Sequence, residues 1–178
     1  MKLKTIFFLT TIFLITFTGC GEKGSGSSGS VVVNTIDGDK LDVDYSSGKI
    51  EKFKNIKLEG VENKILFLSF FSTTCQPCRD EIPYLINLQN KYKDDFEVIG
   101  VLTENKQLSE IKDFVELFGI NYKITDAGED YSITNLVGGV KGVPTMFMYD
   151  KNGEYVTHYI GAVPQAMIEN DIKKVLSR

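Results

Sequence analysis

Two cysteines separated by two residues constrain the fold of this chain more than any other feature. They form the sequence Cys75-Gln76-Pro77-Cys78. The segment before them, residues 65–71, is almost continuously apolar, which is typical of a strand covered on both faces of a sheet. Apolar residues after the pair recur at helical spacing. A buried strand that leads directly into a helix at a Cys-x-x-Cys pair predicts a redox motif in an α/β fold.

The start of a helix is a position that makes a cysteine reactive. The first turn has unpaired N–H groups and the positive end of the peptide dipoles. These stabilise a thiolate and lower a thiol pKa from about 8.5 toward roughly 3.5 to 7.5. We therefore predict that Cys75 is the nucleophile. Cys78, about one turn further in, is predicted to attack the mixed disulfide and release the product.

Two other uses of the cysteine pair are less favoured by the sequence. A static disulfide across two residues closes a very short loop, so its effect on chain entropy would be small. A zinc site needs four ligands, and the chain has no second cysteine pair or histidine pair to complete one around Cys75 and Cys78. We predict no metal and no cofactor. The dipeptide Gln76-Pro77 is expected to influence the reduction potential and to lie where a substrate binds.

The order of predicted elements indicates an α/β sandwich. The predicted strands are residues 31–36, 41–45, 65–71, 96–102, 122–125, 145–149 and 155–160. Helices are predicted from the cysteine motif onward, at residues 108–118 and 131–137, and after Pro164. The turn at residues 150–153 can join only antiparallel strands, so the central sheet is predicted to be mixed. Residues 46–63 show no clear pattern, with Phe53, Ile56 and Leu58 as the expected buried positions.

The first twenty residues are typical of a secretory signal. Lys2 and Lys4 precede an apolar run of about a dozen residues, whereas a membrane-spanning helix needs roughly 20. The ending Thr18-Gly19-Cys20 resembles a bacterial lipobox, which predicts lipidation of Cys20. The alternative is an ordinary signal peptide with an incidental cysteine. We predict a signal at residues 1–20, a Gly/Ser linker at 21–30 and one domain at 31–178.

Composition and charge exclude other classes of function. Of the 178 residues, 42% are apolar and 25% charged, which is the balance of a soluble globular protein. The net charge is -4 and no block of basic residues is present. Binding to nucleic acid needs clustered Lys and Arg, so nucleic acid is not an expected partner.

Two segments in the expected order resemble the TlpA/ResA-like thioredoxin family. The first is Phe70-Phe71-Ser72-Thr73-Thr74-Cys75-Gln76-Pro77-Cys78-Arg79-Asp80-Glu81-Ile82-Pro83. The second is Gly142-Val143-Pro144-Thr145, followed by Phe147 and by Asp150-Lys151-Asn152-Gly153. The resemblance implies a thioredoxin fold, a three-layer α/β/α sandwich with a mixed central sheet, here with an N-terminal β-hairpin extension.

The resemblance also implies a function and a location. It implies a thiol-disulfide oxidoreductase that exchanges electrons with protein disulfides or thiols, in the direction of a reductant, as in cytochrome c maturation. A membrane or periplasmic redox donor is the implied second partner. The implied location is outside the cytoplasm on a membrane anchor, on the periplasmic side in a Gram-negative bacterium.

Individual residues match positions of the family. Cys75 resembles its attacking cysteine and Cys78 its resolving one. Pro144 matches its cis-proline, and the backbone of Val143 would then pair with an extended substrate segment. Glu81 matches a partly buried acid that could carry the proton of Cys78. The alternative for Glu81 is an ordinary first-turn glutamate favoured by the helix dipole.

Some positions depart from the family, and two other functions remain open. Thr74 and Phe71 stand where an aromatic residue, often Trp, is usual, which affects partner preference. A thiol peroxidase would use Thr73 or Thr74 beside one cysteine. A Cu(I) delivery protein would use Cys75 and Cys78 together with His158. We expect His158 to be an ordinary surface residue.

Overall fold

The computed structural model of the protein describes residues 27–50, 52–125 and 132–178. Its strands are β1 (Gly29–Asn34), β2 (Lys40–Ser47), β3 (Lys54–Leu58), β4 (Ile65–Phe71), β5 (Phe96–Leu102), β6 (Lys123–Thr125), β7 (Thr145–Tyr149) and β8 (Tyr155–Ile160). Its helices are α1 (Gln76–Lys91), α2 (Leu108–Phe118), α3 (Ser132–Leu136) and α4 (Gln165–Leu176). The predicted signal, Cys20 and most of the predicted linker lie outside the described residues. No helix within the described ranges is long and apolar enough to cross a membrane.

Five strands form the central sheet in the order β6-β5-β4-β7-β8. Strands β4, β5 and β6 are parallel, while β7 is antiparallel to both β4 and β8. The predicted mixed sheet is therefore confirmed. Strand β4 is at its centre and is buried at every residue, in agreement with its continuous apolar sequence.

Helices and strands cover the two faces of this sheet. On one face, α1, α2 and α4 pack against alternate residues of the central strands, including Phe67 of β4 and Val98 of β5. On the other face, α3 and the N-terminal strands pack against the intervening residues, such as Leu68 and Ile99. The second outer layer is thus built partly of β-structure.

The N-terminal extension is a three-stranded antiparallel sheet with the order β1-β2-β3. The predicted hairpin is present as β1 and β2, and the third strand comes from the segment whose structure the sequence did not indicate. Phe53, Ile56 and Leu58 of that segment are buried, as predicted. Strand β1 begins at Gly29, two residues inside the predicted linker, because Gly29 pairs with Tyr45 of β2.

The turn between β7 and β8 joins this extension to the central sheet. The carboxylate of Asp150 accepts hydrogen bonds from the backbone N–H groups of Asn152 and Glu154, both at 2.9 Å. Gly153 has a φ of 77°. Its carbonyl accepts a hydrogen bond of 2.9 Å from the N–H of Ile56 in β3. The hairpin turn therefore also holds the N-terminal sheet.

His158 is only partly exposed and packs more closely than the expected surface residue. His158 is half-buried on β8, and its ring stacks on that of Phe147 with centroids 5.5 Å apart. Its Nδ1 lies 2.6 Å from the hydroxyl oxygen of Tyr155. Phe53, which is distant in sequence, completes the cluster with its ring centroid 5.3 Å from that of His158. The packing against Phe53 depends on the N-terminal sheet, which a local pattern around His158 does not reveal.

Candidate active site

The cysteine motif forms the first turn of α1. Cys75 is the N-cap residue, with φ of -80° and ψ of 109°, and the helix begins at Gln76. The backbone N–H of Cys78 points at Cys75 Sγ, with the nitrogen 3.3 Å from the sulfur. The two cysteines are disulfide-bonded, with their Cα atoms 5.3 Å apart. A helix N-terminus is therefore directed at the sulfur of Cys75, as the sequence predicted.

The two sulfurs lie in different surroundings. Cys75 is half-buried at the protein surface, whereas Cys78 is 4% exposed. Cys78 belongs to an apolar cluster that includes Phe71, Ile82 and Phe114. A substrate sulfur can therefore approach Cys75, while Cys78 is accessible chiefly to Cys75.

The segment before β7 lies against the outer cysteine. The peptide bond between Val143 and Pro144 is cis, as the family resemblance implied. The carbonyl oxygen of Val143 is 3.7 Å from Cys75 Sγ. Pro144 is buried, and its own carbonyl accepts a hydrogen bond of 2.8 Å from Gly161 N–H. The structure thus places the carbonyl of Val143, which precedes the cis peptide bond to Pro144, against the sulfur of Cys75.

Glu81 lies on α1 one turn after Cys78 and is 3% exposed. Its Oε1 accepts a hydrogen bond of 2.9 Å from the N–H of Val163, and its Oε2 has no partner among the described residues. Burial raises the pKa of this carboxyl above its usual value, although the bond from Val163 opposes the rise. Glu81 is therefore a carboxyl that holds its proton to a higher pH than an exposed glutamate does, and it is more deeply buried than a first-turn surface glutamate.

The other predicted positions lie where the sequence order suggests. Gln76 and Pro77 are exposed at the start of α1, and Gln76 Nε2 donates a hydrogen bond of 2.8 Å to Asp80. Ser69 of β4 is also buried, but as a serine it supplies no carboxyl, so Glu81 remains the candidate acid. Among the described residues, no group of three or more His, Cys, Asp or Glu is placed to hold a metal ion. His158 therefore does not join the cysteines as the copper alternative requires.

The hydroxyl groups proposed for a thiol peroxidase are already engaged. Thr73 is buried and its Oγ1 donates a short hydrogen bond to a carboxylate oxygen of Glu104. Thr74 is exposed, and its Oγ1 lies 2.9 Å from the hydroxyl of Ser72. Both hydroxyls therefore have hydrogen-bond partners other than Cys75, which counts against the peroxidase alternative.

Sequence reasoning missed Glu104, which contacts the segment before the motif. Its carboxylate accepts hydrogen bonds from Ser72 and Thr73. A signal was present, because Glu104 follows the buried strand β5 by two residues. The carboxyl ends of the parallel strands β4 and β5 lie side by side, so residues that follow them can meet.

A family model and a curated relative match this chain. The Redoxin model matches residues 38–176. The thiol-disulfide oxidoreductase ResA of Bacillus thuringiensis (strain Al Hakam) is 33% identical over 126 residues, which cover 68% of this chain and 69% of ResA.

Solved structures share the fold. A thiol:disulfide interchange protein of the thioredoxin family from Chlorobium tepidum superposes with a TM-score of 0.59 and 26% identity, covering 85% of this chain and 95% of its own. A secreted disulfide oxidoreductase of Mycobacterium tuberculosis, homologous to DsbE of E. coli, has a TM-score of 0.61 and 17% identity. It covers 81% of this chain and 95% of its own. The predicted thioredoxin fold is confirmed.

Proposed function

Because the chain belongs to the Redoxin family and is a thiol-disulfide oxidoreductase of the ResA type, we propose that it reduces disulfides of proteins outside the cytoplasm. The observation that supports disulfide exchange by this chain most directly is the asymmetry of the cysteine pair. Cys75 is open to a partner and faces a helix N-terminus, whereas Cys78 is enclosed behind it. This arrangement favours attack by one sulfur and resolution by the other.

The proposed reaction transfers two electrons in two exchange steps. The Cys75 thiolate attacks one sulfur of a substrate disulfide, forms a mixed disulfide and releases the other substrate sulfur as a thiolate. The Cys78 thiolate then attacks Cys75 Sγ, and the second substrate sulfur leaves. The substrate gains two thiols and the protein gains the Cys75–Cys78 disulfide, which a membrane or periplasmic redox donor reduces again.

Substrate positioning is assigned to residues around Cys75. An extended substrate segment would pair with the backbone of Val143, whose carbonyl oxygen lies 3.7 Å from the sulfur. Pro144, which follows Val143 through the cis peptide bond, would shape the same binding surface. Gln76 and Pro77 are exposed beside Cys75 and would contact the substrate from the side of the helix.

Glu81 is proposed to carry a proton for the inner cysteine. It lies one helical turn beyond Cys78, and burial raises its pKa. The Glu81 carboxylate would accept the proton that Cys78 must lose before it attacks, and the carboxyl group would then hold that proton. A buried acid with a raised pKa suits this exchange near neutral pH better than an exposed glutamate does.

The direction of electron flow is tested by the reduction potential. We expect a value at or below about -200 mV in equilibrium with glutathione, within the range from glutaredoxin to thioredoxin. A value near -120 mV, that of the strong oxidant DsbA, would contradict a reductant. Reductases for cytochrome c maturation are common in the family that the chain resembles, so an apocytochrome with an oxidised cysteine pair is the proposed substrate class.

A lipid anchor at Cys20 is the proposed attachment to the membrane. The lipobox-like ending of the signal and the Gly/Ser stretch after it support this proposal. We expect Cys20→Ala to move the protein from the membrane fraction to the soluble extracytoplasmic fraction, with its disulfide exchange unchanged. Retention of the variant on membranes washed with high salt would contradict the anchor.

A further inference from the structure

We propose that Glu104 is a positioning residue that holds Ser72 and Thr73 and thereby fixes the geometry of Cys75. This inference rests on the function proposed above and deepens it. It concerns a residue that contacts neither sulfur in the structure and acts through the chain segment that precedes the motif.

Three hydrogen bonds from this segment end on the Glu104 carboxylate. The N–H of Thr73 donates to Oε1 at 2.7 Å, and the hydroxyl of Ser72 donates to Oε2 at 2.9 Å. The hydroxyl of Thr73 also donates to Oε1. Hydrogen bonds to an ionised acceptor are roughly twice as strong as neutral ones, so this contact fixes both the backbone and the side chains of the segment.

The contact extends the pairing of two parallel strands. Phe71 and Leu102, the last residues of β4 and β5, are in register. Beyond them, the N–H and the hydroxyl of Thr103 both donate to the carbonyl of Phe71, at 2.9 and 3.0 Å. Glu104 then binds Ser72 and Thr73, the two residues that follow β4. The segment after β5 therefore stays bound to the segment after β4 beyond the end of the strand pairing.

The charge of Glu104 persists through the pH range of thiol exchange. Partial burial alone would raise the pKa of this carboxyl. The hydrogen bonds from Thr73 and Ser72 outweigh that effect and lower the pKa below its ordinary value. The carboxylate therefore remains an acceptor wherever the cysteines are reactive.

The segment held by Glu104 leads directly to the reactive cysteine. The carbonyl of Thr73 accepts a hydrogen bond of 2.7 Å from Arg79 Nε on α1, and the carbonyl of Ser72 accepts one of 3.2 Å from Cys75 N–H. Glu104 thus holds the segment on the side of β5, and Arg79 holds it on the side of the helix. Cys75 is at the N-cap with its sulfur 3.3 Å from the nitrogen of Cys78 because both sides are fixed.

The test compares Glu104→Ala, Glu104→Gln and the wild type in equilibrium with glutathione. Both variants lose the same charge, but Gln keeps one acceptor oxygen. If Glu104 positions Cys75, the equilibrium constant for forming the Cys75–Cys78 disulfide falls about tenfold in Glu104→Ala and about threefold in Glu104→Gln. Equal changes in the two variants would show an effect of charge alone and would overturn the proposal, as would no change beyond twofold in either.

The amide exchange rate of Thr73 supplies a second, local measurement. We expect it to rise at least several-fold in both Glu104 variants, because its acceptor is weakened or lost. Glu116→Gln on α2 is the matched control, since it removes one exposed carboxylate away from the motif. If Glu104→Ala does not fold, the glutathione equilibrium and the Thr73 amide exchange rate are measured in Glu104→Gln alone. An unchanged equilibrium constant together with an unchanged exchange rate would overturn the proposal.

A double-mutant cycle with Thr73→Val tests the contact itself. Thr73→Val removes the hydroxyl that Glu104 binds and keeps the shape of the side chain. The two substitutions are expected to be non-additive, with the double variant close to Glu104→Ala alone. Strict additivity would contradict a shared contact. Failure of the wild type to exchange with glutathione would instead refute the proposed function, so the two failures are distinguishable.

Discussion

At the scale of single residues, reactivity depends on what surrounds two sulfurs that are three positions apart. Cys75 receives the N–H of Cys78 and remains accessible, while Cys78 is covered by apolar side chains. Glu81 adds a carboxyl with one unpartnered buried oxygen behind the pair. The pair is thus divided into an outer and an inner thiol, with an acid placed on the inner side.

Glu81→Gln is predicted to change the pH dependence of stability. The folded protein binds the Glu81 proton up to a higher pH than the unfolded chain does, because burial raises the folded pKa. The wild type therefore loses stability relative to Glu81→Gln as the pH rises above about 4.5, the unfolded value. Urea unfolding at pH 4 and pH 8 measures this, and an equal difference between the two proteins at both values would contradict it.

The same variant tests the proton-carrying role of Glu81. General acid–base groups contribute about 10²- to 10⁴-fold to a rate, and a loss of at least about tenfold in disulfide reduction at pH 7 is expected. Glu116→Gln, which removes an exposed carboxylate on α2, is expected to reduce at the wild-type rate. Equal rates for Glu81→Gln and the wild type would leave Glu81 without a role in catalysis.

Residue positions were predictable where a local pattern determines them. The cysteines and Glu81 lie at the N-cap and within the first two turns of α1, so the sequence reveals their proximity. Glu104 and the packing of His158 depend on partners distant along the chain, Thr73 for the first and Phe53 for the second. Only the topology of the strands brings these pairs together.

At the scale of elements, the strands with continuous apolar sequences were predictable to the residue. The bounds of β4, β5 and β7 agree with the predicted ranges, since both faces of these strands are covered over most of their length. The bounds of β8 also agree, although most of its residues are only half-buried, because the turn at residues 150–153 indicates where the strand begins. Strand β3 was not recognised, because three of its five residues are polar and its partner strand sets its structure. The turn at Gly153 joins β7 and β8, which were predicted, and it also binds β3, which was not, through the hydrogen bond from Ile56 N–H to the Gly153 carbonyl.

Gly153→Ala is predicted to destabilise the protein through that turn. Gly153 has a φ of 77°, and a Cβ there would lie 2.4 Å from the backbone oxygen of Ile56. The left-handed conformation costs about 1 kcal/mol, and the overlap adds about 1–3 kcal/mol. Thermal or urea unfolding measures the free energy of unfolding.

Gly38→Ala is the matched control for this prediction. Gly38 has a φ of 90° and open space around the position of a Cβ. It is expected to show the conformational cost without the overlap, about 1 kcal/mol. Equal destabilisation by the two substitutions would mean that the turn does not hold β3 closely.

At the scale of the whole molecule, the N-terminal sheet and the central sheet share one apolar core. Val43 and Ile56 of the extension lie in the same cluster as Leu68 and Phe147 of the central sheet. Phe53 also belongs to this cluster, and its ring stacks on Tyr155 with centroids 4.4 Å apart. The extension is therefore expected to unfold together with the domain that carries the active site.

Phe53→Ala is predicted to lower the free energy of unfolding of the whole chain by about 3 kcal/mol. Phe53 is 7% exposed, whereas Val32 in β1 is 48% exposed, so Val32→Ala should change stability by less than about 0.5 kcal/mol. Tyrosine fluorescence and amide exchange in β4 should report one transition. A separate early transition confined to β1–β3 would contradict a shared core.

If Cys75 attacks the substrate and Cys78 resolves the mixed disulfide, that mixed disulfide can be trapped in a variant without the inner cysteine. Reduced Cys78→Ser is mixed with a peptide that contains one disulfide, and the product is located by mass spectrometry and peptide mapping. We expect one stable peptide adduct on Cys75 in Cys78→Ser, and little adduct on Cys78 in the matched Cys75→Ser variant, because that sulfur is buried. Equal adducts in the two variants, or none on Cys75, would contradict it.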